Sequence, residues 1–113
     1  MVAYIHKTLA SGRWYNFSFC EQMANIGSEI SRSIHWYGEN DKEEKEKSVE
    51  RALELIDLTI SDKRWKGRLR EIFRLREVVC DLFLGNNDYN VSLESLKNYF
   101  LFFSLKHINE KNV

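Results

Sequence analysis

Proline is absent from this chain of 113 residues, and glycine occurs only five times. Proline costs about 3 kcal/mol inside a helix and glycine about 1 kcal/mol, so the composition permits long, unbroken helices. Cysteine is scarce too. Cys20 and Cys80 lie in apolar helical stretches with no short spacing between them, which argues against a disulfide framework or a metal knuckle and leaves buried free thiols as the expectation. An excess of one charge is also missing, because 17 basic and 17 acidic residues cancel. Proteins that hold nucleic acid mainly through phosphates carry surplus Lys and Arg. Whole-surface nucleic-acid binding is therefore disfavoured, whereas a local basic patch is not. No stretch approaches the roughly 18 apolar residues of a membrane span. Met1–Leu9 lacks the charged start and apolar run of a signal peptide. The expected compartment is the cytoplasm, with no membrane partner.

What is present is ordinary globular material, 43% hydrophobic and 30% charged. The periodicity predicts an all-α, antiparallel four-helix bundle as one domain over 1–113, with an arm at 1–17, the bundle at 18–108 and a frayed tail at 109–113. The helices are expected at 18–37, 42–60, 62–84 and 92–107. Met1–Phe17 shows no helical period, and its aromatics surround a Ser11-Gly12 turn signal, which suggests an extended arm or loose hairpin packed on the bundle. Ser18 to Glu21 and Asp41 to Glu44 read as capping boxes. Gly38 and Gly85 are the expected helix stops. Ala24, Gly27, Ser28 and Ser31 form a small-residue flank that lets another helix come close.

The third predicted helix is the most charged element, with Lys63, Arg64, Lys66, Arg68, Arg70, Arg74 and Arg76 inside fourteen residues. Lys66, Arg70 and Arg74 recur at spacing four and form a basic ridge that could track phosphates or an acidic partner. The plainer reading is a solvated face diluted by Glu71, Glu77 and Asp81. Arg76 differs, because the helical period places it beside Trp65, Leu69, Ile72 and Phe83 in the apolar stripe. A guanidinium there needs an anion, and the flanking carboxylates of the first two helices are Glu29 and Asp57, with Glu50 behind them. A partly buried Arg76 network with Glu29 or Asp57 is expected, as a structural register pin or as a functional pocket; the remaining alternative is that Arg76 reaches solvent along its stem.

Catalytic patterns are incomplete. The inward carboxylates invite a di-metal bundle site, but that site requires Glu-x-x-His on two helices, and the three histidines, His6, His35 and His107, make none. Arg32 and His35 are separated by two residues, too few for the Arg-to-His spacing of helical ribonuclease toxins. No cofactor and no metal are expected. The last helix carries two apolar stripes. Leu93, Leu96, Phe100 and Phe103 form one, and Leu101, Phe102, Leu105 and Ile108 form the other. One stripe suffices for a monomeric bundle, so the second implies a subunit or partner contact unless the aromatic arm covers it.

The run Glu21-Gln22-Met23-Ala24-Asn25-Ile26-Gly27-Ser28-Glu29-Ile30-Ser31-Arg32-Ser33-Ile34 resembles a helix of the 23S ribosomal-RNA intervening-sequence proteins and of the related accessory variability determinants of diversity-generating retroelements. A looser likeness extends over Glu50–Ile60. The resemblance implies a homo-oligomeric four-helix bundle that binds nucleic acid or a reverse transcriptase. From residues and resemblance together, the expected function is a non-enzymatic binding or assembly protein. A small helical nuclease or a toxin–antitoxin component is the alternative.

Overall fold

Ser18, Asp41 and Ser92 each place a side-chain oxygen just ahead of an apolar-periodic stretch. In the structure, a computed structural model that describes residues 4–111, each of them caps a helix. Ser18 Oγ accepts the Glu21 N–H at 3.1 Å, Asp41 Oδ1 the Glu44 N–H at 3.1 Å, and Ser92 Oγ the Ser95 N–H at 3.0 Å. Each bond satisfies one of the donors that a helix start leaves free. The elements in chain order are α1 (Lys7–Ala10), a 3₁₀ turn (Arg13–Asn16), α2 (Phe19–Gly38), α3 (Lys42–Ile60), a 3₁₀ segment (Lys63–Arg68), α4 (Leu69–Leu84) and α5 (Leu93–Lys111). No strand occurs among the described residues, and the fold is all-α. Helix α2 is central, packing on both α3 and α5, while α4 packs on α3. Trp14, Met23, Ile26, Val49, Ile56 and Ile72 are completely buried in one hydrophobic core.

The small-residue flank has a specific use. A Cβ on Gly27 would lie 2.9 Å from Phe100 Cβ, so glycine is what lets α5 come this close to α2. The helix stops work differently from expectation. Gly38 remains inside α2, and the left-handed residue that turns the chain toward α3 is Asn40, at φ 56°. Asparagine adopts this conformation more readily than most residues. Gly85 does end α4 but is extended rather than left-handed. Its lack of a Cβ matters because that atom would sit 3.0 Å from the Asp81 carbonyl oxygen.

Three boundaries depart from the sequence reading. The arm is neither extended nor a hairpin, but folds into α1 and a 3₁₀ turn that satisfy their own backbone groups. The Ala10 N–H donates to the His6 carbonyl at 2.9 Å, and the Phe17 N–H to the Trp14 carbonyl at 3.2 Å. Turns this short show no period in a sequence. The expected helix from residue 62 begins instead with the 3₁₀ segment, in which Trp65 has non-helical angles (φ −102°, ψ 25°), and regular α-helix starts only at Leu69. At the other end, α5 stays helical to Lys111, beyond the expected His107. The expectations for residues 1–3 of the arm and 112–113 of the tail lie outside the described residues.

Candidate contact surfaces

Where the 3₁₀ turn Arg13–Asn16, α2, the end of α3 and the 3₁₀ segment Lys63–Arg68 meet, a polar junction lies within the core. Gln22 is fully buried. Its amide nitrogen donates to the Trp14 carbonyl and to Asp62 Oδ2, both at 3.0 Å, and its carbonyl oxygen accepts from Trp65 Nε1 at 2.9 Å. Trp14 Nε1 donates to Thr59 Oγ1 at 3.1 Å. Asp62 also takes two side-chain bonds from Arg64, at 3.0 and 2.7 Å, and Arg64 Nη2 reaches the Phe17 carbonyl at 2.7 Å. Burial pushes the Asp62 carboxyl up, but the Arg64 and Gln22 hydrogen bonds outweigh it and hold the group below the usual aspartate range. Every polar side chain in this cluster has a partner, as burial requires. Sequence reading missed the junction, because Gln22 looks like any helical Gln until the arm folds over it.

The carboxylate at the other buried position is Glu29, and its partners differ from those expected. Glu29 is 10% exposed and accepts from Arg51 Nε at 2.8 Å and from Arg32 Nη1 at 2.7 Å. Arg76 is not among them. Its guanidinium pairs with Asp57, Nε to Oδ1 at 2.7 Å and Nη2 to Oδ2 at 3.3 Å. The pair lies at the rim, with Arg76 39% and Asp57 52% exposed. Of the two partners expected for Arg76 the structure has Asp57 and not Glu29, and the pair is more open to solvent than the partly buried network expected. Glu29 belongs to Arg51 and Arg32, and Leu75 occupies the core position the period assigned to Arg76. The physical reason is reach: a long stem can lie along the apolar stripe while its charged end stays in water.

The basic ridge is interrupted. Lys66, Arg70 and Arg74 are all exposed, but Lys66 lies in the 3₁₀ segment and the other two in α4. The four-residue spacing therefore does not stack them along one helix. The Arg74 guanidinium lies 4.2 Å from the centre of the Tyr89 ring. Lys66 and Arg70 make no ion pair among the described residues.

The second stripe of α5 is open to solvent. Leu101, Phe102, Leu105 and Ile108 are 51, 54, 55 and 53% exposed, while Leu96, Phe100 and Phe103 of the same helix are buried. The described residues of the arm do not cover them. Its Trp14 and Tyr15 bond to Thr59 and Ser61 at the end of α3, and the Ile5 and His6 N–H groups bond to Glu54. Between α4 and α5 runs an apolar groove of about 270 Å³, lined by Leu75, Val78, Val91 and Leu96 and bounded by the Tyr99–Glu71 hydrogen bond at 3.1 Å. Burial, together with the Glu71 charge, pushes the Tyr99 hydroxyl well above the usual tyrosine range.

The remaining reactive side chains do not converge. His6 contacts Glu54 at 2.8 Å, His35 stacks on Trp36, and His107 faces Glu21 at 3.7 Å. Arg32 is engaged by Glu29. Cys20 and Cys80 are free and half-buried rather than buried. Among the described residues no cluster of His, Cys, Asp or Glu is arranged to hold a metal, and no helix is long and apolar enough to cross a membrane. Comparison with known proteins finds no family model, no curated protein and no solved structure that matches this chain.

Proposed function

We propose that this chain is a non-enzymatic binding and assembly bundle whose α5 helices pair between two copies through Leu101, Phe102, Leu105 and Ile108. The observation that carries this reading is the exposure of those four side chains, each more than half open, along the face opposite the buried Leu96, Phe100 and Phe103. An apolar stripe of this kind is unusual on a monomer. Helix α5, with 19 residues, is about 28 Å long. A two-fold pairing sets the stripe against its own copy, so one surface serves both subunits. The resemblance of residues 21–34 to oligomeric bundle proteins fits the same reading.

The test is light scattering at tens of micromolar protein. The parent should run as a dimer or larger. Phe102→Glu combined with Leu105→Glu should run as a monomer of unchanged helicity. A monomeric parent removes the proposal.

A second reading is supported by Lys66 and Arg70, which are exposed and form no ion pair among the described residues. In it the surface around the 3₁₀ segment and α4, including Arg74, contacts a polyanion such as nucleic acid. Loss of binding in a Lys66→Glu, Arg70→Glu, Arg74→Glu variant, with affinity falling steeply with salt in the parent, is the outcome expected of it.

A further inference from the structure

The 3₁₀ segment and the arm, nearly fifty residues apart in the chain, bring arginines and aromatic rings together in alternation. The Arg13 guanidinium lies 5.8 Å from the centre of the Phe17 ring, that of Arg64 4.4 Å from Trp65, and that of Arg68 4.3 Å from Phe19. The three stacks are joined to one another. Arg64 Nη2 donates to the Phe17 carbonyl, and the Phe19 and Trp65 rings meet edge-on at 5.2 Å. Arg13 and the flanking Lys63 and Lys66 are exposed and form no ion pair among the described residues. Over residues 61–71 the charge is five basic side chains against two acidic ones: Asp62, which is buried and paired with Arg64, and Glu71, which pairs with Arg68 at 3.4 Å. In a chain of zero net charge this is a marked local excess.

We infer that this arginine–aromatic ladder is a binding surface for single-stranded nucleic acid, with Arg13 and Arg68 as its phosphate contacts and Arg64, whose Nε and Nη2 are held by Asp62 and the Phe17 carbonyl, ordering the segment between them. The inference rests on the polyanion reading above and moves its centre from the α4 ridge to the junction of the arm with the 3₁₀ segment. A guanidinium held over a ring has already lost part of its rotamer freedom, so less is lost when it engages a phosphate through two parallel N–H bonds. Its outward face is a flat cation on which an unstacked base can lie. A duplex keeps its bases stacked inside and cannot use those faces. The surface also lacks a long basic helix to enter a groove, since α4 interleaves its arginines with Glu71, Glu77 and Asp81. These features favour a strand with exposed bases over a duplex or a lipid headgroup.

The test is fluorescence anisotropy of the full chain with a labelled oligouridine, a duplex of equal length and phosphatidylserine vesicles as separate probes. The parent should bind the oligouridine, with a log-affinity against log-salt slope of about −0.7 for each phosphate engaged. Arg13→Ala with Arg68→Ala should weaken binding about tenfold at low salt and flatten that slope by more than one. Arg64 is left in place because it holds Asp62. Arg13→Lys with Arg68→Lys keeps both charges and the fold yet loses the flat planes, so it should also bind several-fold more weakly. Parental affinity in the lysine variant, equal affinity for duplex, or preference for the vesicles overturns the inference. Binding that survives Arg13→Ala with Arg68→Ala but is lost when Lys66, Arg70 and Arg74 become Glu overturns the ladder and leaves the ridge. If no probe is bound at low salt, the polyanion reading falls with it.

Discussion

The junction around Gln22 and the outer face of α5 are opposite solutions to the same problem of pairing surfaces. At the junction polar atoms are removed from water, and each finds a partner within the chain: Trp14, Asp62 and Trp65 all bond to Gln22. On α5 apolar side chains are left in water, and none of the described residues covers them. The first arrangement is closed and accounts for its own stability. The second is open to solvent, and only on the proposal of paired α5 helices does it become a contact surface.

The largest expected effect breaks the closed side. Trp14→Ala removes a completely buried ring and its bond to Thr59, and should cost about 3–5 kcal/mol in urea denaturation. The loss should not depend on protein concentration. A loss below about 1 kcal/mol would mean that the arm is only loosely laid on the bundle. Gly27→Ala comes next. Its new Cβ would meet Phe100 at 2.9 Å, an overpacking typically worth about 1–3 kcal/mol, against up to about 1 kcal/mol regained from helix propensity. The net loss should be near 1–2 kcal/mol, and a stabilised variant would show that α5 can slide away from α2 and that its register is soft.

Arg76→Ala is expected to be smaller still. Both partners of the Arg76–Asp57 pair are more than one-third exposed, and pairs of this kind contribute about 0–1 kcal/mol. A melting temperature within a few degrees of the parent is the outcome expected from a rim pair, whereas a loss of 3–5 kcal/mol would restore the buried network expected from sequence.

The smallest effect is a pH dependence of the arm. Burial pushes the Glu54 carboxyl up, but hydrogen bonds from the His6 and Ile5 N–H groups and from the His6 ring outweigh it and hold the group below its ordinary value. A depressed folded-state value stabilises the fold above the unfolded-state glutamate pKa of 4.5, and that contribution is lost as pH falls through the folded value. Acid should therefore release the arm before the bundle unfolds. Glu54→Gln should remove this early acid step in tryptophan fluorescence and leave the neutral-pH melt within a few degrees of the parent.

Much of the fold was legible because it rests on local chemistry. The caps at Ser18 and Asp41, and the stripes of Met23, Ile26 and Ile30 or Val49 and Ile56, follow from spacing along single helices. The two-faced character of α5 was legible for the same reason, since a helix has only two sides. The arm was not, because one turn of helix is shorter than the period used to detect it. Arg76 was assigned inward because period describes where a Cβ points and not where a long side chain ends. Gln22 and Arg51 carried no signal of their partners. Each is an unremarkable polar residue until a segment distant in sequence arrives to bond it.

By itself, then, the sequence determined the helical class, the caps, the inward faces and the surplus apolar stripe, all of which depend on neighbours within a few residues. Only the tertiary structure decided which carboxylate meets which cation and that Gln22 is the centre of a polar core. It alone set Arg64 against the Phe17 carbonyl and the Phe19 ring against Trp65. Those choices depend on how whole helices and the arm settle against one another. That settling is governed by close packing at points such as Gly27–Phe100 and by the requirement that every buried polar group find a partner.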